Sequence, residues 1–233
     1  MTDEPPPRKR MVKPPGGGEA RAKPARLKTA KGRTSSQQAW LERQINDPFS
    51  ARARADGYRS RAAYKLMEID DRFHLIKRGA RIVDLGAAPG GWVQVALQRG
   101  AGRVVGVDLL PIDPLPPAEL IQMDFTHPDC GPRLIELLGG PADIVLSDMA
   151  ANTTGHKQTD HLRIVGLIEA AADFAGEVLK PGGAFIAKAF QGGETAEILG
   201  ILKMRFDQVK NVKPKASRSG SSEVYLVATG FRG

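Results

Sequence analysis

From residue 81 onward, short apolar runs rich in β-branched residues alternate with longer stretches whose apolar positions recur every three or four residues. The strand-like runs fall at 81–85, 103–108, 119–123, 143–148 and 183–190, with two more near 206–213 and 223–229. Helices fit at 91–99, 130–138, 160–179 and 194–204. In the 160–179 segment Val165, Ile168, Ala172, Ala175 and Leu179 form one apolar stripe. Strands alternating with helices predict a mostly parallel sheet covered on both faces. The last two strands have no helix between them, so they are expected to pair antiparallel at one edge. The predicted fold class is α/β, a Rossmann-like, seven-stranded, doubly wound sheet.

Upstream the pattern is more polar. Ser36 to Gln44 reads as a short helix capped by Ser35 or Ser36, and Ser60 to Asp71 as a helix with Ala63, Leu66, Met67 and Ile69 on one stripe. Between them lies Asp47-Pro48-Phe49, then Arg52, Arg54, Arg59, Arg61 and Lys65 with only Asp56 in opposition. A solvated face is the ordinary explanation of such a cation run. Phe49, Tyr58 and Tyr64 interleaved among the cations favour RNA as the partner.

Charge and composition sharpen this. Of a formal net charge of +8, residues 1–36 supply +7, with ten Lys/Arg against Asp3, Glu4 and Glu19. This Pro/Gly-rich segment lacks the apolar surface to fold, and it is expected to be a disordered, phosphate-seeking tail ahead of a folded domain over 37–233. The 233 residues, 41% hydrophobic and 26% charged, have the balance of a globular protein. The one cysteine, Cys130, excludes an internal disulfide, and the four scattered histidines make no metal pattern. No membrane span, no apolar leader and no metal are expected; a cytoplasmic monomer is.

Candidate chemistry concentrates at strand ends. Arg81 to Leu85 runs into Gly86-Ala87-Ala88-Pro89-Gly90-Gly91-Trp92, a strand followed by a glycine-rich turn and a helix. Small residues there let the backbone approach a ligand, and the helix start offers unpaired N–H donors. Asp108 closes the next strand, where a carboxylate can take both hydroxyls of an adenosine ribose. A nucleoside-containing cofactor is therefore expected. A nicotinamide dehydrogenase would want Gly-x-Gly-x-x-Gly, which this turn does not supply. Asp84, Asp124 and Asp148 also fall at strand ends, and Glu223 starts the last strand. A strand-end aspartate can simply cap the following helix. Lys188, flanked by Phe185, Ile186 and Phe190, is different: a lysine in a central apolar strand must be paired or functional, and Asp148 on the neighbouring strand is the expected partner.

Methyl transfer from a sulfonium to a ribose hydroxyl suits such a group. It needs alignment of nucleophile, carbon and sulfur, and a base for the hydroxyl proton. Burial and Lys65 favour a neutral Lys188, while Asp148 and Glu223 favour the ammonium. The residues alone leave Lys188 either as the base or as an orienting cation.

Asp84 to Trp92, Asp108-Leu109-Leu110-Pro111, Ser147-Asp148-Met149-Ala150, Lys180-Pro181-Gly182-Gly183 and Arg218 to Gly230 together resemble the FtsJ-like ribosomal RNA ribose 2′-O-methyltransferases, nearest the bacterial large-subunit methyltransferase E group. The likeness runs from about Asp47 to Gly230, with five motifs in order. A seven-stranded sheet with an edge hairpin is the fold that this resemblance implies. It further implies a Lys-Asp-Lys-Glu tetrad at Lys65, Asp148, Lys188 and Glu223, with Lys188 as proton acceptor. It implies S-adenosylmethionine contacts at Gly90, Trp92, Asp108, Asp124 and Asp148. The implied substrate is a uridine 2′-hydroxyl in the A-loop of 23S rRNA, on the assembled large subunit. Ala151 departs from the family's usual proline after Ala150, and the basic tail exceeds the family's N-terminus. A non-catalytic RNA-binding assembly factor, or an enzyme acting on transfer RNA or messenger caps, would share much of this pattern.

Overall fold

A computed structural model describes residue 38 and residues 46–150, 157–191, 194–218 and 220–233. The tail 1–36, nearly all of the expected 36–44 helix and Ala151 lie outside the described residues.

Helix α1 spans Pro48–Ala55, where the sequence pattern shows only a run of cations. Its start signal is nonetheless in the chain. Asp47 is the N-cap, its carboxylate accepts the Phe49 N–H at 3.0 Å, and Pro48 occupies the first turn. Helix α2, Ala62–Phe73, ends where His74 turns into the left-handed region at φ 53°. Its stripe of Ala63, Leu66 and Ile69 is fully buried.

Seven strands follow: β1 Arg81–Leu85, β2 Arg103–Asp108, β3 Glu119–Gln122, β4 Ala142–Ser147, β5 Leu179–Phe190, β6 Phe206–Val212 and β7 Glu223–Phe231. They are connected by α3 Gly91–Gln98, α4 Cys130–Leu138, α5 Lys157–Val178 and α6 Glu194–Arg205. The spatial order is β3-β2-β1-β4-β5-β7-β6. All pairs from β3 to β5 are parallel, and β7 runs antiparallel to both β5 and β6, as the alternation predicts. The order reverses between β1 and β4, so the ligand crevice of such a sheet opens beyond the carboxyl ends of those two strands.

Most boundaries shift by one to four residues, and the junction of α5 and β5 shows why. The helical stripe stops at Val178 rather than running to residue 179, and Leu179 already pairs with Ala142 of β4. The register then shifts before Ala184 meets Ile144, leaving Lys180-Pro181-Gly182 exposed at the strand's start.

Alternation along the strands sorts side chains into two cores. Val83, Leu85, Val105, Val107, Phe185 and Leu226 pack with α4, α5 and α6. Ile82, Val104, Leu146, Ile186 and Val227 pack with α2 and α3. The period of two puts Asp84, Lys188, Glu223 and Tyr225 on this second face, beneath α2 and α3.

Candidate active site

Register brings the charged residues together. Lys188 of β5 lies directly opposite Tyr225 of β7, and Phe190 lies opposite Glu223. On the other side Ala187 pairs with Ser147, the last residue of β4, so Asp148 emerges next to Lys188. Lys65 reaches the same place from α2, one turn into a helix whose apolar side is fixed by Leu66 and Ile69.

The resulting contacts are short. Lys188 Nζ lies 3.2 Å from Asp148 Oδ1 and donates to the Asp148 backbone carbonyl at 2.6 Å. Lys65 Nζ lies 2.8 Å from Glu223 Oε1 and 3.9 Å from Asp148 Oδ1. Both lysines are nearly buried, at 8% and 9% exposure. At that burial an unpaired ammonium would be costly, and two carboxylates against two amines balance the set. Burial alone would raise the Glu223 carboxyl. Lys65, the Ser217 hydroxyl that donates at 2.8 Å, and Lys188 together outweigh it and hold Glu223 below the ordinary glutamate range.

Tyr225 joins the group, although nothing in the sequence pattern singles it out. Its hydroxyl donates to Asp148 Oδ1 at 2.5 Å and accepts from Lys65 Nζ at 2.9 Å. The ring is fully buried and tilts against Trp92 with centroids 5.7 Å apart. Burial, then the Asp148 and Glu223 carboxylates, push the phenol well above its usual range, so it stays a neutral donor. Its signal in the sequence is position: two residues after Glu223, on the same face.

A cleft of about 570 Å³ opens over this group. Lys65, Asp148 and Glu223 contribute to its lining, together with Arg54, Arg61 and Arg218. Arg61 and Arg218 are held in place by Asp47, which is buried and pairs with both. The wall is cationic, and three of the four charged residues reach it, which suits a polyanion presenting a hydroxyl.

The switch point adjoins the same groups, since Trp92 packs on Tyr225. Gly90 takes φ +106° to start α3, a conformation that L side chains rarely adopt. The N–H groups of Gly91, Trp92 and Val93 in the first turn have no partner within the helix. Trp92 itself is 3% exposed and donates its indole N–H to the Ala62 carbonyl at 2.8 Å, so its ring serves the core and leaves only its backbone for a ligand. Asp108 organises the turn: one carboxylate oxygen accepts the Ala88 N–H and the other the Leu110 N–H, each at 2.9 Å. Each oxygen keeps a further lone pair for a ligand hydroxyl. Asp124 is exposed beyond β3; the Thr126 N–H and hydroxyl donate to it and lower its carboxyl. The Met123 N–H donates to the Asp108 carbonyl at 2.9 Å, tying these two edges together.

Asp84 lies under the turn at 1% exposure, and its Oδ2 is buried without a hydrogen-bond partner. Burial first, then the Asp148 and Asp108 carboxylates, raise its carboxyl well above the ordinary range. An orphaned carboxyl oxygen, unpaired helix N–H groups and a strand-end aspartate with spare acceptors fit the ammonium, carboxylate and ribose of an adenosyl amino acid. Among the described residues no group of three His, Cys, Asp or Glu could hold a metal ion, and no helix is long and apolar enough to cross a membrane.

Known proteins resemble this chain in sequence and fold. The FtsJ-like methyltransferase family model matches residues 58–231. The chain is 69% identical over 225 residues to a Caulobacter sp. (strain K31) protein named ribosomal RNA large subunit methyltransferase E, covering 96% of this chain and all of that one. A Gluconobacter oxydans protein of the same name is 62% identical over 213 residues, 91% of this chain and 80% of that one. Among solved structures, a Plasmodium falciparum protein assigned as a ribosomal RNA methyltransferase superposes with a TM-score of 0.69 at 34% identity, over 76% of this chain and all of that chain.

Proposed function

The chain belongs to the FtsJ-like methyltransferase family, and from that premise we propose that it moves a methyl group from S-adenosylmethionine to a uridine 2′-hydroxyl in the A-loop of 23S rRNA. The observation that carries the reading is the convergence of Lys65, Asp148, Lys188 and Glu223, at 2.8–3.9 Å, with Lys65, Asp148 and Glu223 lining an arginine-rich cleft and Lys188 behind Asp148. The relatives' names point to large-subunit ribosomal RNA, and the resemblance of the five motifs to the methyltransferase E group supports the uridine. The substrate is the assembled subunit, met in the cytoplasm by a monomer.

The cofactor is held by Gly90, the Trp92 backbone, Asp108, Asp124 and Asp148. When bound, it supplies an electrophilic methyl on a sulfonium. Every other requirement falls to this chain. The cationic wall holds the RNA backbone, and Lys65 with Glu223 sets the ribose edge against Asp148. A ribose hydroxyl is a weak nucleophile, so its proton must leave as attack proceeds. Lys188 Nζ, entering the step as the neutral amine with a free lone pair, takes that proton and becomes the ammonium. The charge it gains lands between the Asp148 carboxylate, 3.2 Å away, and the Asp148 carbonyl, 2.6 Å away. Both acceptors are in place before reaction, so the developing ammonium needs no reorganisation around it. Tyr225 fixes the Asp148 oxygen that does this.

The test uses large ribosomal subunits from cells lacking the modification, incubated with the protein and methyl-labelled S-adenosylmethionine. Digestion to nucleosides is expected to place the label in 2′-O-methyluridine, from one A-loop position. Label on a base, or none on large-subunit RNA, would overturn the reading.

A further inference from the structure

Arg59 belongs to the cation run that the sequence assigns to RNA, yet its bonds point the other way. Its guanidinium donates to three backbone carbonyls: Pro89 at 3.1 Å, Asp113 at 2.7 Å and Pro114 at 2.8 Å. Pro89 lies in the glycine-rich turn immediately before Gly90. Asp113 and Pro114 lie in the segment that leaves Asp108. The two loops that frame the cofactor crevice are thus bridged by one side chain from the RNA side of the molecule.

The backbone around Arg59 is fixed to the same unit. Its N–H donates to Gln94 Oε1 of α3 at 2.7 Å, and the Gln94 side-chain amide donates to the Gly57 carbonyl at 3.0 Å. A Cβ on Gly90 would stand 2.9 Å from Arg59 Nη1, so the guanidinium packs directly over that glycine. Arg59 also lines the arginine-rich cleft. Three of its five N–H donors serve loop carbonyls, which a planar fork can span and a point-like ammonium cannot.

We propose that Arg59 is a positioning residue for the cofactor: it locks the Gly90 turn to the 113–114 loop and so sets Gly90 and Asp108, and it makes no phosphate contact with RNA. This rests on reading the Gly90–Asp108 crevice as the S-adenosylmethionine site.

The test compares wild type, Arg59→Ala, Arg59→Lys and Arg54→Ala by two titrations. One is calorimetric binding of S-adenosylhomocysteine to the full chain; the other is binding of an A-loop RNA fragment over a series of salt concentrations. Wild type must bind S-adenosylhomocysteine; if it does not, the cofactor assignment itself fails and the inference with it. Arg59→Ala and Arg59→Lys are both expected to weaken cofactor binding about tenfold, on the scale of one charge-assisted bond. Their RNA salt slope is expected to stay at the wild-type value, while Arg54→Ala flattens its slope by the share of about one neutralised phosphate. Circular dichroism and melting of the apo variants check that each folds. A cofactor Kd within twofold of wild type in a folded Arg59→Ala protein overturns the inference. So does full rescue by lysine, because retained charge would then be what matters.

Discussion

Replacing Tyr225 with phenylalanine removes one oxygen from the middle of the charged group and leaves the ring against Trp92. The missing hydroxyl donates to Asp148 at 2.5 Å and accepts from Lys65 at 2.9 Å. A hydrogen bond to a charged group contributes about 1.5–3 kcal/mol net. At about 1.4 kcal/mol per tenfold in rate, loss of the Asp148 bond alone corresponds to roughly 10–150-fold if all of it is expressed in the transition state. Lys65 keeps Glu223 at 2.8 Å, so its charge is not orphaned, and the lower end applies. The expected outcome is a kcat reduced about tenfold on undermethylated large subunits, with KM for S-adenosylmethionine within twofold. The phenol is raised far above its usual range and does not titrate near neutrality, so the deficit should be constant between roughly pH 6 and 9. A folded variant with wild-type kcat would refute the claim that Tyr225 holds Asp148 and Lys65 in their reactive positions.

Two further outcomes follow from charge. Asp84 has a raised carboxyl, so its contribution to stability is complete below the unfolded value of about 3.9 and is lost as pH rises through the higher folded value. Asp84→Asn, neutral at every pH, should therefore melt higher than wild type at alkaline pH, by roughly 2–4 °C for each kcal/mol recovered. The difference should shrink on acidification; thermal scans showing parallel pH profiles would mean that Asp84 is ionised in the native protein. Deletion of residues 1–36, which carry ten Lys/Arg, should weaken binding to large subunits and flatten its salt dependence, by about 0.7–0.9 in log–log slope for each phosphate that the tail neutralises. The turnover at saturating substrate should persist, and an unchanged slope would show that the tail does not touch RNA.

The architecture was legible because each strand carried its own record. A short apolar, β-branched run bounded by turn residues gives a strand, and the missing helix before β7 gives the antiparallel edge. Lys188 was legible for a related reason: a lysine among Phe185, Ile186 and Phe190 asks for a carboxylate on an adjacent strand, and Asp148 lies 3.2 Å away. Lys65 and Glu223 were visible as a cation in a basic run and a carboxylate at a strand start, but their place in a tetrad came from the family pattern, since neither differs locally from a surface charge. Tyr225 escaped notice because an aromatic in a buried β-strand reads as core, and its second role depends on the β5–β7 register. Arg59 escaped because side chains in a cation run look alike in sequence; only the folded loops reveal which carbonyls it meets. Helix α1 was within reach, as Asp47-Pro48 is a start signal, but its Arg52 and Arg54 obscured any apolar stripe.

The most direct measurement is the single-turnover rate of methyl transfer to undermethylated large subunits by wild type and Lys188→Ala, with RNA and S-adenosylmethionine both saturating. Loss of a positioned base is expected to slow the step by about 10²–10⁴-fold while S-adenosylhomocysteine affinity stays within twofold. A Lys188→Ala rate within a few-fold of wild type, with the methyl still on the uridine 2′-oxygen, would contradict the assignment of Lys188 as the group that takes the proton.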